Sequence, residues 1–386
     1  MATKDLGVWK AEDCALLLID FQKEMFEVIR SEIRNRGPQP FSWFMEQALY
    51  HPEHGYYSSG RCAIGRKGHY FTNVSVGPLF GQLMVAQFAE IWEQLGKIDN
   101  FVIVEQGAHD GQFARDVLES AQSRAPEFFE ALDYRIIEPV PILRERQSQT
   151  LESFRNKIEW RDSLEPFTGV HFSNELLDAM PVRLISGSME KLVGLQDGRF
   201  AFIQRPLSNM VFNQVVLDWI DNLAAKLKRG YLIAIDYGHW GDEFQRDIQV
   251  RAQHRQLDSP FDQIGHADIT MHVDWTSIIR RAEADGLRLA GFADQHHFLT
   301  GVISTWPDLL QTRSSNSTAL SRRAQTADAD RKTKRALQTL LHPEMLGRAF
   351  QAIALAKNVD SGAPQLAGFK FAREPRAALG LKKPNQ

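Results

Sequence analysis

Short apolar segments that alternate with amphipathic helical segments constrain this chain more than any other feature. The apolar segments lie at residues 101–105, 134–138, 157–160, 170–175, 231–236, 287–293 and 350–357. Strands that alternate with helices of this length are typical of a parallel, doubly wound sheet. The alternation therefore predicts an α/β fold with helices on both faces of one sheet.

Composition excludes several functional classes. The chain has 386 residues, and its 45 Lys and Arg residues against 48 Asp and Glu residues offer no global attraction to nucleic acid. No apolar run reaches the roughly 18 residues of a spanning helix, so membrane insertion is not expected. Cys14 and Cys62 cannot form a disulfide framework or a four-thiolate zinc site, and no metal is predicted. The first residues lack the pattern of a signal or transit peptide, which favours the cytoplasm.

The segment from Glu105 to Gly111 points to a ligand. Glu105 closes a strand, and Gly107 and Gly111 bracket a tight turn into a helix. Glycines allow a sharp turn and the close approach of a ligand, while the helix N-terminus offers N–H groups. The dinucleotide fingerprint G-x-G-x-x-G is absent. The segment fits the E/D-x-G-x-G-x-G loop of S-adenosylmethionine methyltransferases with His109 in place of the middle glycine, and an ordinary turn is the alternative.

Polar residues also close the next two predicted strands. Glu138 ends the second strand, where an acidic side chain can accept hydrogen bonds from ribose hydroxyls. Asp162 and Ser163 follow the third strand and are candidates for contact with adenine. These positions favour nucleoside binding, and solvated strand ends are the alternative interpretation.

Asn174, Glu175 and Asp178 follow the fourth predicted strand, in the segment SNELLDAMPV. Ligands of open sheets bind outside the carboxyl ends of the strands, so these side chains are candidates to face a substrate. A helix cap formed by Asn174 or Asp178 is the alternative.

The ordered motifs resemble the MidA family of S-adenosylmethionine-dependent methyltransferases. From about residue 38 onward, these motifs are FSWFMEQALYHPEHGYY, HYFTNVSVGPLFG, VEQGAHDGQFARDVL, YRIIEPVPILRERQ, SNELLDAMPV, YLIAIDYG, DITMHVDW and QHHFL. The resemblance implies a Rossmann-like, seven-stranded methyltransferase sheet whose last strand is antiparallel, with a helical N-terminal part and insertions. It also implies S-adenosylmethionine as the cofactor.

The resemblance assigns roles to the candidate cofactor residues. Glu105, Gly107 and Gly111 would line the methionine end of the cofactor. Glu138 would bind the ribose, and Asp162 would contact the adenine.

Three further residues near the expected cofactor carry open alternatives. Phe71 and Thr72 would fold over the cofactor as a lid, although a structural loop packed on the sheet fits the same residues. His109 stands where most family members have glycine. Its side chain either crowds the loop or contacts the carboxylate of the methionine moiety.

The resemblance also implies a substrate. Mitochondrial relatives are complex I assembly factors that dimethylate an arginine of a core matrix-arm subunit. The chain is therefore expected to be a protein-arginine N-methyltransferase with a protein partner, a complex I matrix-arm subunit being the candidate, in the mitochondrial matrix if the source is eukaryotic. A non-catalytic assembly factor or chaperone that keeps the fold is the alternative. A nicotinamide-dependent oxidoreductase is disfavoured by the missing third glycine.

An arginine acceptor would need carboxylates. A guanidinium is gripped best by planar, bidentate carboxylates, and Glu175 and Asp178 form the obvious pair. They would orient the attacking nitrogen and ease the loss of its proton. Asp236, Tyr237 and His272 are further candidates for acceptor binding or proton removal.

Residues 1–33 differ in character from the rest. The apolar run 14–20 is expected to form a strand that ends in Asp20, which resembles the start of isochorismatase-like cysteine hydrolases. Cys62 does not match the nucleophile of that family, so a working hydrolase site is not expected. The polar residues 238–260 are expected to form a loop over the sheet edge.

Five parts of the chain are predicted. They are an extra N-terminal segment at residues 1–33, a helical cap at 34–100, a methyltransferase core at 101–240, a substrate-side insertion with a helix and the sixth strand at 241–345, and the last strand and tail at 346–386.

Overall fold

The computed structural model describes residues 11–60, 72–241, 248–253, 255–306 and 331–381, with side chains from residue 24 onward. Two compact units make up the chain. The first unit comprises Met1–Ala63, Pro181–Asn213 and Ile248–Thr270. The second unit comprises Ile64–Met180, Gln214–Asp247 and Met271–Gln386. The predicted cap at residues 34–100 is thus divided between the two units.

The labelled helices are α1 (Ala11–Arg36), α2 (Phe41–Tyr50), α3 (Leu79–Gln94), α4 (Gln112–Arg124), α5 (Pro126–Ala131), α6 (Pro141–Thr150), α7 (Gln214–Lys226), α8 (Trp275–Ala284), α9 (Gln295–Thr305) and α10 (Pro375–Ala378). Residues 331–341 are also helical. Short 3-10 or π turns occur at Val74–Val76, Glu152–Phe154, Pro343–Gly347 and Ala367–Phe369. Among the residues described, no helix is both long and apolar enough to cross a bilayer.

The labelled strands are β1 (Gln39–Pro40), β2 (Phe101–Gln106), β3 (Leu132–Ile137), β4 (Ile158–Arg161), β5 (Phe167–Asn174), β6 (Leu184–Ser186), β7 (Met189–Gln196), β8 (Arg199–Pro206), β9 (Leu227–His239), β10 (Gln249–Ala252), β11 (Arg255–Gln256), β12 (Asp268–Thr270), β13 (Val273–Asp274), β14 (Arg288–Asp294) and β15 (Phe350–Lys357).

The second unit contains the predicted sheet. Its strand order is β14-β15-β9-β5-β2-β3-β4, and the short strand β13 pairs with the end of β9. Strands β4, β3, β2, β5 and β9 are parallel, whereas β15 is antiparallel to both of its neighbours. The predicted fold class, including the antiparallel last strand, is confirmed.

Side chains that alternate along the strands bury both faces of this sheet. Ile103 belongs to a hydrophobic layer shared with helices α3, α4 and α9. The next residue, Val104, belongs to a second layer shared with helices α7 and α8. This period of two is what a strand buried on both faces requires. The carboxyl ends of β2, β3, β4, β5 and β9 therefore meet at one edge, which is the edge where the candidate residues were expected.

The first unit is built on antiparallel pairs. Strand β7 pairs with β1, β6 and β8, and β10 pairs with β11 and β12. Phenylalanine rings cluster in this unit. The ring centroid of Phe200 lies 4.7 Å from that of Phe26, and the centroid of Phe261 lies 5.4 Å from that of Phe44 and 5.0 Å from that of Phe202. Of these rings, only that of Phe44 is fully buried. Aromatic contacts of this kind add about 0.5–1.5 kcal/mol each beyond the area they bury.

Two local expectations are wrong. Residues 14–20 are not a strand, because helix α1 is continuous from Ala11 to Arg36, and Met25, Ile29 and Ile33 continue it with buried side chains four residues apart. A short apolar run does not by itself distinguish a strand from a buried helix. The strand on which the hydrolase resemblance depended is therefore absent from the described residues.

The second correction concerns residues 238–260, which are not simply a loop. Strands β10 and β11 lie within this segment, and β10 pairs with the distant strand β12. Strands β6, β7 and β8 likewise have no counterpart in the expectation. Strands β7 and β8 form a hairpin across Asp197 and Gly198, a turn signal that was not used, whereas β6, β10, β11 and β12 have at most four residues and give little local pattern.

Candidate functional site

The turn between β2 and α4 has the backbone geometry expected of a ligand-binding loop. Gly107 and Gly111 both have φ of +81°, and His109 has φ of +48°. The Gly111 N–H donates to the Ala108 carbonyl at 2.8 Å, which closes the turn. Left-handed angles suit glycine and are tolerated by histidine at some cost. His109 therefore keeps the backbone path that a glycine would take at this position.

Glu105, at the end of β2, is a buried carboxyl group. The Tyr134 hydroxyl donates to its Oε2 at 2.7 Å across the neighbouring strands. Burial raises the pKa of Glu105 to about 8, and the Tyr134 hydrogen bond opposes that rise. With a pKa of about 8, the Glu105 carboxyl group is mostly protonated at pH 7.

Glu138, directly after β3, is buried but well supplied with hydrogen bonds. The Val140 N–H donates to its Oε1 at 3.0 Å, and the Gln147 side-chain amide donates to its Oε2 at 3.1 Å. Burial raises the pKa of Glu138, while these two hydrogen bonds oppose the rise. A carboxylate offers about four acceptor positions, so its two oxygens keep capacity for further donors such as hydroxyls.

Gln147 on α6 connects three parts of this sheet edge. Its Nε2 donates to the His109 carbonyl at 3.0 Å as well as to Glu138. Its Oε1 accepts a hydrogen bond from the Trp160 indole N–H at 3.0 Å, on β4. Sequence reasoning missed Gln147, because a glutamine in a polar helix has the pattern of a solvent-exposed residue.

Asp162 and Ser163 lie exposed at the end of β4. Arg144 Nη2 donates to Asp162 Oδ1 at 2.5 Å, and Arg144 Nε donates to the Glu138 carbonyl at 2.5 Å. Arg144 therefore ties the end of β4 to the end of β3. The contact of Asp162 and Ser163 with adenine stays a prediction.

The segment after β5 forms a turn rather than a helix. Residues 175–180 are non-helical, and Glu175 has φ of +53°. The helix-cap alternative for Asn174 or Asp178 is therefore wrong. A glutamate in the left-handed region costs of order 1 kcal/mol or more, and such strain tends to occur at functional sites.

Asp236, near the end of β9, organises that turn. Its Oδ2 accepts hydrogen bonds from the backbone N–H groups of Leu176 at 3.1 Å, Leu177 at 2.8 Å and Asp178 at 3.3 Å. Its Oδ1 accepts from the Tyr237 N–H at 2.8 Å. Burial raises the pKa of Asp236 to about 7, against the effect of these four donors. The structure gives Asp236 a positioning role through the turn.

Asp178, Tyr237 and His272 lie around the same strand ends. The Asp178 carbonyl accepts a hydrogen bond from the Met271 N–H at 2.8 Å. His272 is the next residue in the chain, so its backbone lies beside the turn. The ring of Tyr237 packs on Phe350 with centroids 3.9 Å apart. Asp178 is buried, whereas Tyr237 and His272 are half-buried.

The HYFTN segment reaches the end of β5 through a residue that sequence reasoning missed. Asn73 is fully buried, and its Nδ2 donates to Asn174 Oδ1 at 2.9 Å. The Thr72 N–H donates to Ser75 Oγ at 2.8 Å, so Thr72 belongs to a local turn. Phe71 lies outside the described residues. The position of Asn73 between two candidate lid residues and a helix was the available signal.

The donors and acceptors at this edge fit S-adenosylmethionine. Two glycines with left-handed angles precede the N-terminus of α4, and Glu138 retains acceptor capacity for ribose hydroxyls. Glu105 offers a carboxyl group at the first strand end. Among the residues described, no cluster of three or more His, Cys, Asp or Glu side chains could hold a metal ion.

Comparisons with known proteins point to the same cofactor. The model of a family of S-adenosyl-L-methionine-dependent methyltransferases matches residues 83–293. This chain is similar to a superfamily member from Burkholderia thailandensis, whose crystal structure contains bound S-adenosyl-homocysteine. The two sequences are 27% identical, and the structures superpose with a TM-score of 0.81 over 97% of this chain and 100% of that chain.

Two similar relatives are curated as protein arginine methyltransferases. The Drosophila melanogaster NDUFAF7 homolog, named as mitochondrial, is 25% identical over 70% of this chain and 73% of its own length. Human NDUFAF7, also named as mitochondrial, is 24% identical over 91% of this chain and 86% of its own length. The resemblance to the MidA family is confirmed. Because the family model spans more than half of the chain and includes the strand ends described above, the chain belongs to this family of S-adenosylmethionine-dependent methyltransferases.

Proposed function

We propose that this methyltransferase transfers its methyl group to an arginine side chain of a protein. The observation that carries the proposal is the turn after β5, where Glu175 and Asp178 lie together on a turn that Asp236 holds in place. The curated names of the relatives, protein arginine methyltransferase, support the same acceptor.

The ends of β2, β3 and β4 would bind the cofactor. Glu105 and the turn from Gly107 to Gly111 would hold its methionine end, with His109 beside the carboxylate of that moiety. Glu138 would accept hydrogen bonds from the ribose hydroxyls, and the Gln147 amide would keep its carboxylate oriented. Asp162 and Ser163 would contact the adenine, and Phe71 and Thr72 would close over the ligand. S-adenosylmethionine, when bound, supplies an electrophilic methyl group.

The turn after β5 would bind the acceptor. A guanidinium is planar and carries five N–H donors, so carboxylates grip it and fix the attacking nitrogen. Glu175 and Asp178 would supply those carboxylates and stabilise the positive charge that stays on the group until a proton leaves. Asn174 orients Glu175, since its Nδ2 donates to Glu175 Oε1 at 2.9 Å.

Alignment is the main demand of methyl transfer. The nucleophile, the methyl carbon and the sulfur must lie in line at near-attack distance, and such positioning contributes several kcal/mol to the barrier reduction. Asp236 would serve alignment indirectly by fixing the turn. Tyr237 and His272, half-buried at the same strand ends, would line the acceptor path or receive the proton.

A matrix-arm subunit of complex I is the proposed substrate. This finer assignment rests on the family resemblance and on the relatives' assignment to mitochondria. The protein would then act where complex I is assembled, in the cytoplasm of a bacterium or the matrix of a mitochondrion.

Isotope transfer tests the proposal. The purified protein is incubated with S-adenosylmethionine labelled on the methyl group and with the matching complex I subunit, and the product is sequenced by mass spectrometry. We expect label on guanidino nitrogens with the wild-type protein and much less with Glu175→Gln. Label on lysine, on a terminus or on a small molecule would contradict the arginine assignment.

The non-catalytic alternative predicts a different result in the same experiment. It depends on His109 weakening cofactor binding, yet His109 adopts left-handed angles that keep the turn in place. Absence of methyl transfer to the subunit and to a cell lysate, although S-adenosylhomocysteine binds, would favour the alternative.

A further inference from the structure

A chain of buried side-chain amides ends on the candidate acceptor carboxylate. Gln295, the first residue of α9, donates from Nε2 to Asn73 Oδ1 at 2.8 Å. Asn73 Nδ2 donates to Asn174 Oδ1 at 2.9 Å, and Asn174 Nδ2 donates to Glu175 Oε1 at 2.9 Å. We call Gln295, Asn73 and Asn174 the amide chain. It links the first residue of α9, the helix that follows the edge strand β14, to the turn after β5.

The direction of this chain is determined by its first member. Gln295 Nε2 also donates to the Leu340 carbonyl at 3.1 Å, and a carbonyl can only accept. A flipped Gln295 amide would place its oxygen against the Leu340 carbonyl oxygen, which cannot donate. The nitrogen must therefore face Asn73 Oδ1, which forces Asn73 Nδ2 toward Asn174, and in turn Asn174 Nδ2 toward the carboxylate.

Burial makes the arrangement costly to disturb. Gln295 and Asn73 are both fully buried. Gln295 Oε1 is buried without a hydrogen-bond partner among the described residues. Buried polar atoms normally have hydrogen-bond partners, so the free energy lost at an unsatisfied atom has to be compensated by another interaction. The compensation comes from Gln295 Nε2, whose two hydrogen bonds fix the orientation of the amide.

The target of the chain is itself strained. Glu175 has φ of +53°, and its backbone N–H is bound to the Ile235 carbonyl at 3.0 Å. The Asn73 backbone N–H also approaches Glu175 Oε1, at 3.4 Å. Asn73 in turn is placed by the turn in which the Ser75 N–H donates to Thr72 Oγ1 at 3.2 Å. Two donors, the Asn174 side-chain amide and the Asn73 backbone N–H, thus meet at Glu175 Oε1.

We propose that Asn73 and Gln295 are positioning residues for methyl transfer: the amide chain holds Glu175 Oε1 in the one orientation that presents the carboxylate to the acceptor. The proposal rests on the proposed function, because it takes Glu175 as the acceptor-binding group. Neither residue needs to touch the cofactor or the acceptor. The chain also stabilises negative charge on the oxygen at its end, since linked hydrogen bonds polarise one another.

The first arm of the test needs no acceptor. Gln295→Met keeps the length of the side chain and removes the amide, and Gln87→Met is the matched control, because Gln87 is equally buried but bonds to Glu90 and Gly368. The side-chain ¹⁵N–¹H resonances of Asn174 are assigned by comparison with Asn174→Asp. We expect Gln295→Met to shift them although Gln295 is two hydrogen bonds away, and Gln87→Met to leave them in place.

The second arm measures catalysis. With the labelled-methyl assay and the complex I subunit, kcat should fall about tenfold to a hundredfold in Gln295→Met, as misplacement of a reacting group predicts. S-adenosylhomocysteine affinity should stay at the wild-type value. In a Glu175→Gln background, Gln295→Met should have no further effect on kcat, because both changes act through the same carboxylate.

Two results would overturn the proposal, and each differs from failure of the proposed function. An unshifted Asn174 resonance in both Gln295→Met and Asn73→Ser would show that the amides are not coupled, whatever the acceptor is. A shifted resonance with wild-type kcat would show that the coupling has no catalytic role. If the wild-type protein transfers no methyl group to arginine, the arginine assignment fails, and the role in methyl transfer to arginine fails with it.

Discussion

The Asp236 carboxylate accepts a hydrogen bond from the Leu177 backbone N–H at 2.8 Å, and so joins the end of β9 to the turn after β5. The same oxygen accepts from the N–H groups on either side of Leu177. A single buried carboxylate thereby satisfies three backbone donors that no helix or strand would satisfy. The position of Asp178, and with it the acceptor-binding role proposed for Glu175 and Asp178, depends on this contact.

Asp236→Ala should therefore loosen the turn and lower stability. Three buried N–H groups would lose their acceptor, and we expect a loss of about 2–4 kcal/mol in the free energy of unfolding. Urea titration measures this, and methyl transfer should fall in parallel. Asp236→Asn retains one acceptor oxygen and should lose less. An unchanged unfolding free energy in Asp236→Ala would contradict the role of Asp236 as the organiser of the turn.

The buried pair of Glu105 and Tyr134 predicts a pH dependence of stability. The pKa of Glu105 is raised to about 8 in the folded protein, whereas it lies near its ordinary value of 4.5 in the unfolded chain. Between these values the folded state binds more protons than the unfolded state, so the contribution of Glu105 falls as pH rises from about 4.5 to 8.

Glu105→Gln removes this titration. Compared with wild type, the variant should have similar stability near pH 4.5 and should be more stable by up to about 4 kcal/mol near pH 8. Its amide oxygen can still accept from Tyr134. Denaturant unfolding over this pH range measures the difference, and parallel wild-type and variant curves would contradict the prediction.

Gly107→Val tests the cofactor turn. Gly107 has φ of +81°, and an added Cβ would meet the Leu176 side chain at 3.4 Å. We expect a stability loss of at least about 1 kcal/mol and the loss of S-adenosylhomocysteine binding, since a branched side chain would occupy the ligand's approach.

Gly96→Val is the matched control for Gly107. Gly96 has φ of +86° with nothing within 4 Å of an added Cβ, and it lies in the loop before β2. This variant should carry the same backbone strain but bind S-adenosylhomocysteine as wild type does. Calorimetry that finds both variants equally impaired would mean that strain alone explains the effect.

Glu138→Ala tests the ribose contact. We expect cofactor binding to weaken by about 1–3 kcal/mol, or about fivefold to a hundredfold in Kd, because hydrogen bonds to the ribose are lost. Glu119→Ala, an exposed change on α4 where Glu119 pairs with Arg115, is the control and should leave Kd unchanged. Calorimetry with S-adenosylhomocysteine distinguishes them, and an unchanged Kd in Glu138→Ala would remove Glu138 from the site.

Glu175→Gln tests the acceptor side. The substitution keeps the size of the side chain and removes its charge, so the binding of a guanidinium should weaken. The residues proposed to bind the cofactor, at the ends of β2, β3 and β4, are unchanged. We expect kcat to fall about a hundredfold or more with S-adenosylhomocysteine affinity unchanged. Glu165→Gln, exposed after β4, should behave as wild type. Loss of cofactor affinity in Glu175→Gln would mean that this residue holds the cofactor or the fold instead.

The sheet and its strand ends could be predicted because their signals are local. Glu138 directly follows an apolar run. Gly107 and Gly111 predicted a tight turn, and their positive φ angles agree with it. Glu175 and Asp178 were found in the same way, from their place after a strand. Such patterns survive folding because each depends on residues adjacent in the chain.

The supporting residues could not be predicted, because their partners are remote in the chain. Gln295 bonds to Asn73, and Gln147 bonds to His109 and Trp160. In sequence, both glutamines lie within motifs of the family resemblance, QHHFL and YRIIEPVPILRERQ, but the residues next to them do not indicate what either side chain binds. The apolar run at 14–20 failed for a related reason, since a helix and a strand compete for it and contacts outside the run decide.

The central claim is that the cofactor lies across the ends of β2, β3 and β4 with its sulfur toward the turn after β5. A crystal structure of the protein with S-adenosylhomocysteine tests it most directly. The prediction is that the ribose hydroxyls lie within hydrogen-bond distance of Glu138 and that the thioether sulfur faces Glu175. A ligand bound elsewhere, with Glu138 making no contact to it, would contradict the account.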